Sequence, residues 1–107
     1  MDYIKNEYQV ILDRRAENQD GSYTCYLFEK GLDKILKKVG EECTEMVIAA
    51  KNNDKEETVY EITDLIYHTL VMMANQGITP EDIEEELKKR AEKAGNLKKF
   101  HTVDKNT

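Results

Sequence analysis

Proline is nearly absent from this chain: Pro80 is the single one in 107 residues. Charged residues make up 36%. Together these point to exposed, salt-bridged helices and away from a β-sandwich. Cysteine is scarce too. Cys25 and Cys43 are too few for a disulfide framework and lack C-x-x-C spacing. They read as reduced thiols, with Cys43 expected as a small core residue. No apolar run approaches the roughly 18 residues that would span a bilayer. The N-terminus, Met1-Asp2-Tyr3-Ile4-Lys5-Asn6-Glu7, has no basic stretch followed by an apolar one. No signal peptide is therefore expected, and the cytoplasm is the expected compartment. Basic excess is also missing. A net charge of −6 leaves nothing to neutralise duplex phosphates, which argues against a nucleic-acid partner. It does not argue against a phosphate substrate, because metal ions bridge anions to carboxylates. There are no repeats or low-complexity tracts, and the length predicts one domain over 1–107.

What the chain does have is helical periodicity. Ile4, Tyr8, Ile11 and Leu12 predict a first helix over 3–17. Ser22 is a candidate N-cap for a long second helix over 23–51, bent at Gly31. Its apolar stripe is Leu32, Ile35, Leu36, Val39, Cys43, Met46, Val47 and Ala50. Gly40 lies inside it and costs about 1 kcal/mol relative to alanine, so a close helix approach is expected there. Asp54 and Glu57 have capping-box spacing and open a third helix that stops at Gly77. Thr79-Pro80-Glu81-Asp82 starts a fourth, which carries Ile83, Leu87 and Ala91 and ends at Gly95. Residues 96–107 are polar and expected to be a loose tail. The predicted fold is all-α, a hairpin-based bundle of about four helices.

Two acidic pairs have matched spacing. Glu42 and Glu45 lie three apart, as do Glu61 and Asp64, and the cross pairs Glu42 with Asp64 and Glu45 with Glu61 are both centred on Asn53 in the polar run Lys51-Asn52-Asn53-Asp54-Lys55. If that run turns an antiparallel hairpin, the four carboxylates stand at one height on facing helices. Such a group is costly without a cation between. On a helical wheel with Val39 as origin, Glu42 and Glu45 fall about 60° and 120° round to one side, and Lys38 and Lys34 share that flank. On the third helix Glu61, Asp64 and His68 occupy a flank as well. Tyr60, Tyr67, Val71 and Ala74 give that helix a second apolar side, which calls for a second partner. A homodimer or higher homo-oligomer is the expected completion of the bundle.

Hard carboxylate oxygens suit Mg²⁺ or Mn²⁺, and no Cys or His cluster suits zinc. Such ions would neutralise a pyrophosphate-bearing substrate and activate water. Lys34 and Lys38 would meet outer phosphates as point charges. Each feature has a plainer reading. The acids can be solvated surface groups, Lys38 can simply pair with Glu42 at i,i+4, and His68 can be a satisfied structural histidine rather than a base or a substrate contact. A non-catalytic helical interaction module is the corresponding alternative.

The stretch from Gly21 to Glu45, with Ser22-Tyr23-Thr24 and Lys30-Gly31-Leu32-Asp33-Lys34-Ile35-Leu36-Lys37-Lys38-Val39-Gly40-Glu41-Glu42, closely resembles the phosphoribosyl-ATP pyrophosphohydrolases of histidine biosynthesis. Glu61-Ile62-Thr63-Asp64 followed by Leu65-Ile66-Tyr67-His68 resembles that family's second signature, and the likeness covers about residues 21–90. The resemblance implies an all-α nucleotide pyrophosphatase that converts phosphoribosyl-ATP and water to phosphoribosyl-AMP and pyrophosphate. It implies Glu42, Glu45, Glu61 and Asp64 as metal ligands, Glu41 as a water-orienting group, and Lys34, Lys38 and Lys30 as phosphate contacts. MazG-like house-cleaning pyrophosphatases share the acidic motif and are the nearest alternative.

Overall fold

Small polar side chains start most of the helices, and positive-φ glycines end two of them. The computed structural model of the protein describes residues 2–18 and 20–94. Helix α1, Tyr3–Ala16, begins at Asp2, whose carboxylate accepts from the Lys5 amide at 3.1 Å. Helix α2, Tyr23–Lys30, begins at Ser22, whose hydroxyl accepts from the Cys25 amide. Helix α3 is Leu32–Lys51. Helix α4, Lys55–Gln76, starts where the spacing predicts, with Asp54 accepting from the Glu57 amide at 3.1 Å. It ends at Gly77, φ 73°. Helix α5, Pro80–Ala94, opens on a reciprocal box. The Thr79 amide donates to the Asp82 carboxylate, and the Asp82 amide donates to the Thr79 hydroxyl. The expected stop at Gly95 and the tail 96–107 lie outside the described residues.

The expected long helix over 23–51 is two helices. Gly31 sits at φ 94°, ψ −174°, a backbone region open essentially to glycine alone, and there the chain turns between α2 and α3. The described residues therefore form five helices and no strand: all-α, with one helix more than the periodicity indicated.

Helices α3 and α4 pack side by side as the hairpin, joined by Asn52, Asn53 and Asp54, with Asn53 at φ 56°. Helix α1 lies against α4 and α2, and α2 against α3. The core gathers at the end of the hairpin away from its turn, from Tyr8 and Ile11 of α1, Leu27 of α2, Ile35 of α3, and Leu70, Val71, Met73 and Ala74 of α4. Polar groups close its edges. The Tyr8 hydroxyl donates to the Ile78 carbonyl at 2.7 Å, and the Arg15 guanidinium donates to the Ala74 carbonyl at 2.6 Å.

The wheel misplaced the buried face of α3. Its buried residues are Ile35, Glu42 and Ala49, a line recurring every seven residues. The centre of the apolar stripe turns outward: Leu32, Leu36 and Val47 are exposed, and so is Cys43, which is not a core residue. The reason is that α3 has one long neighbour within the chain, α4, and presents to it the flank that carries the acids. A Cβ added at Gly40 would meet nothing within 4 Å, so the expected close helix approach there is absent among the described residues. On α4 the predicted second side is largely what fills the core, with Val71 and Ala74 buried and Tyr67 half-buried, while Val59, Tyr60, Ile62 and Ile66 are exposed.

The two interior glycines of the 23–51 stretch should respond oppositely to alanine. Gly31→Ala places a side chain in a forbidden region and should cost about 1–3 kcal/mol. Within a single chain Gly40→Ala gains helix propensity in open space and should stabilise the monomer by roughly 0.5–1 kcal/mol. Urea melts of the two variants measure both, and a stabilised Gly31→Ala would contradict the backbone assignment.

Candidate metal and phosphate site

The flank that α3 turns toward α4 is the polar one, and this creates the site. Glu42 and Glu61 are buried, at 4% and 7% exposure, although both are carboxylates. Glu45, one turn beyond Glu42, is more open. Oxygen atoms of Glu42, Glu45 and Glu61 lie within 4.8 Å of one another, a spacing that suits ligands of one ion. Asp64 is half-buried one turn along α4 and acts on Glu42 by charge repulsion, but it stands outside that tightest group.

The electrostatics show an unsatisfied arrangement. One oxygen each of Glu42 and Glu61 is buried with no hydrogen-bond partner. Buried acceptors of this kind cost free energy, and more when charged. Burial, then Asp64 and Glu45, push the Glu42 carboxyl above its ordinary value. Burial, then contact with Glu45 and Glu57 and repulsion from Glu45 and Glu42, push Glu61 up to about 7. An acid-only donor set with orphaned buried oxygens fits a hard divalent cation, which would satisfy the lone pairs and reverse both shifts.

Lys38 borders the cluster, its Nζ 3.6 Å from Glu42 Oε1 and 3.9 Å from Glu41 Oε1. Burial opposes its charge, but Tyr23, Glu42 and Glu41 together raise its pKa above the ordinary lysine value. Glu41 is exposed on the outer side of Lys38. Lys34, one turn earlier, is half-buried, and Lys30 projects from the last turn of α2 over the Tyr26 ring at 5.8 Å. His68 is buried at 3% exposure, with Nδ1 2.8 Å from the Asp64 carbonyl and Nε2 2.9 Å from the Tyr23 hydroxyl. Both ring nitrogens are thus engaged within the chain.

Sequence reasoning passed over the residues that dock α2 on α4. Tyr23 reaches His68, and the Thr24 hydroxyl hydrogen-bonds to that of Tyr67. Ser22 caps the same turn. The signal was present in Ser22-Tyr23-Thr24 and in Tyr67-His68, strings that marked a resemblance before they had a physical role.

The fold and the acidic cluster define a class: an all-helical protein whose hairpin carries a carboxylate site suited to a hard cation. Residues 5–91 match the family model for phosphoribosyl-ATP pyrophosphohydrolase. The chain is 53% identical to a phosphoribosyl-ATP pyrophosphatase of Clostridium novyi, over 92% of this chain and 89% of that protein. It is 59% identical to a phosphoribosyl-ATP pyrophosphatase of Clostridium acetobutylicum, over 85% and 83%. It is also 67% identical, over 78% of its length, to the histidine biosynthesis bifunctional protein HisIE of Thermoanaerobacter pseudethanolicus, of which it spans 38%. The chain belongs to the phosphoribosyl-ATP pyrophosphohydrolase family.

The site predicts an unusual pH response of the cation-free protein. Glu61 has its folded pKa raised above the 4.5 of the unfolded chain to about 7. Within that window the folded state holds the extra proton, so its contribution to stability is full below 4.5 and is lost as pH rises through 7. In EDTA, the urea midpoint should fall between pH 5 and pH 8, and Mg²⁺ should restore more stability at pH 8 than at pH 5. Glu61→Gln should reduce both effects and leave the smaller part that comes from the raised Glu42 carboxyl. Equal Mg²⁺ stabilisation at the two pH values would count against Glu61 as a ligand.

Proposed function

We propose that the chain hydrolyses phosphoribosyl-ATP to phosphoribosyl-AMP and pyrophosphate in histidine biosynthesis, with Mg²⁺ held by Glu42, Glu45, Glu61 and Asp64. The observation that carries the metal reading is the pair of buried, unpartnered oxygens on Glu42 and Glu61. Family membership over residues 5–91 supports the substrate.

The residues divide the work by depth. Glu42 and Glu61 are fixed in the groove and provide the inner oxygens. Glu45 and Asp64, more open, complete the set from each helix. A bound divalent ion would supply charge neutralisation on the phosphates and a more acidic water for attack on phosphorus. Mn²⁺ has a similar oxygen preference and should substitute. Lys38, tied to Glu42, keeps one cation at the edge of the cluster, where a phosphate would meet it. Lys34 and, farther out, Lys30 extend positive charge along the same path. Glu41, exposed beside Lys38, would orient a water at the solvent edge. His68, enclosed behind Tyr23, reaches substrate through that phenol.

The reading includes a homodimer. Leu36, Val47, Ile48, Val59, Tyr60 and Ile62 are exposed on the hairpin, and grouped apolar side chains of this kind favour an association surface. A second copy that stacks its hairpin on this face would bury it and complete a helix bundle. A cytoplasmic setting with reduced thiols belongs to the same reading. Among the described residues no helix is long and apolar enough to cross a membrane.

Pyrophosphate release from phosphoribosyl-ATP should require Mg²⁺ and disappear with EDTA. Glu42→Gln and Asp64→Asn should each lower turnover by at least about tenfold. Unchanged rates in both would sink the metal assignment. Phosphoribosyl-ATP should outrun dUTP, dCTP and ATP in the same assay. Faster turnover of a deoxynucleotide would move the chain to MazG-like house-cleaning chemistry.

Val59→Glu should convert the dimer to a monomer in sedimentation velocity, because it buries a charge in an apolar contact. A variant that still sediments as a dimer would place the interface elsewhere.

A further inference from the structure

Tyr23 combines an exposed ring with a hydroxyl held by a buried partner. The residue is 44% exposed, yet its oxygen lies 2.9 Å from Nε2 of His68, which is 3% exposed. The direction of that hydrogen bond follows from the other end of the imidazole. His68 Nδ1 faces the Asp64 carbonyl at 2.8 Å, and a carbonyl only accepts, so Nδ1 carries a proton and donates. In the neutral ring Nε2 is then the acceptor, and Tyr23 donates its phenolic proton to it. Burial raises the Tyr23 pKa, so that proton is present at neutral pH. The ring is held between its neighbours, its centroid 6.1 Å from that of Tyr26 and 6.2 Å from that of Tyr67. With its one proton turned inward, the phenolic oxygen can offer only lone pairs to the site.

Position gives those lone pairs a meaning. Lys38 and His68 are equidistant from Asn53 on the two arms of the hairpin, so Tyr23 joins the site at the level of Lys38, one turn beyond Glu42 and Asp64. Lys38, Glu42 and Asp64 all act electrostatically on its phenol. An ionised phosphate carries no hydrogen to donate, so an acceptor here repels the phosphate chain that Lys38 attracts. A group with a hydrogen suits it instead, the Lys38 ammonium from within the chain or a hydroxyl of the substrate.

We propose that Tyr23 is a specificity residue whose oxygen accepts a hydrogen bond from a hydroxyl of the sugar next to the substrate's phosphate chain, and that His68 is the positioning residue that aims it. The inference rests on the proposed hydrolysis of phosphoribosyl-ATP. It predicts that binding changes and chemistry does not. At pH 8 and saturating Mg²⁺, Tyr23→Phe keeps the ring and loses the acceptor. It should raise KM about three- to tenfold while kcat stays within about twofold. His68→Asn retains a donor near the Nδ1 position but stops short of Tyr23, and should raise KM similarly. His68→Gln carries an amide oxygen toward the Nε2 position and should recover most of the loss. The double variant Tyr23→Phe, His68→Asn should be no worse than Tyr23→Phe alone.

A second measurement needs no variant. Among phosphoribosyl adducts of ATP, 2′-deoxy-ATP and 3′-deoxy-ATP, the unaltered enzyme should show a raised KM for one deoxy form. Equal KM for all three overturns the proposal. So does a Tyr23→Phe defect confined to kcat, an unchanged KM in a folded Tyr23→Phe, or additive effects in the double variant. Failure of the unaltered protein to release pyrophosphate from phosphoribosyl-ATP would instead overturn the proposed function itself.

Discussion

The repulsion among carboxylates in the α3–α4 groove is the constraint on which the remaining structure turns. Two buried glutamates with unpartnered oxygens are a local loss, held in place by the apolar core at the far end of the hairpin. That core, built from α1, α2, the first turn of α3 and the last turns of α4, does not include the acidic cluster. The division is physical. Packing supplies stability where the surroundings are apolar, and the unsatisfied polar flank is left open for the proposed cation.

From this division follows the inverted appearance of the hairpin. Within one chain, α3 places Ile35, Glu42 and Ala49 against α4 and leaves Leu36 and Val47 outside. A bundle that wished only to bury apolar surface would turn the other way. The arrangement accords with the proposed reading, in which the inner groove is reserved for chemistry and the outer stripe for a second copy. Site and association surface then occupy different faces of the same two helices.

Much of this was legible in the sequence, for identifiable reasons. Caps at Ser22, Asp54 and Thr79 and the stop at Gly77 are local chemistry, so the helix starts and the end of α4 could be read directly. The meeting of Glu42, Glu45 and Glu61 followed from symmetry about Asn53, because a short turn fixes heights on both arms. The facing of α3 was not legible, since a helical wheel weighs apolar content and is blind to which neighbours the chain supplies. The break at Gly31 was read as a bend, because a glycine's sign of φ is set by how α2 docks. That docking depends on Tyr23 and Thr24 reaching His68 and Tyr67, contacts more than forty positions apart in sequence.

The three-residue turn at Asn52, Asn53 and Asp54 holds these relations in phase. An added residue taken up into α4 as helix would carry the helix forward by about 1.5 Å and rotate it by roughly 100° against α3. Glu61 would swing out of the groove, and His68 would leave the level of Lys38. A surface loop is ordinarily where a chain tolerates changes of length. Here the loop functions as a gauge block, and its length is as much a part of the site as any carboxylate that it brings into register.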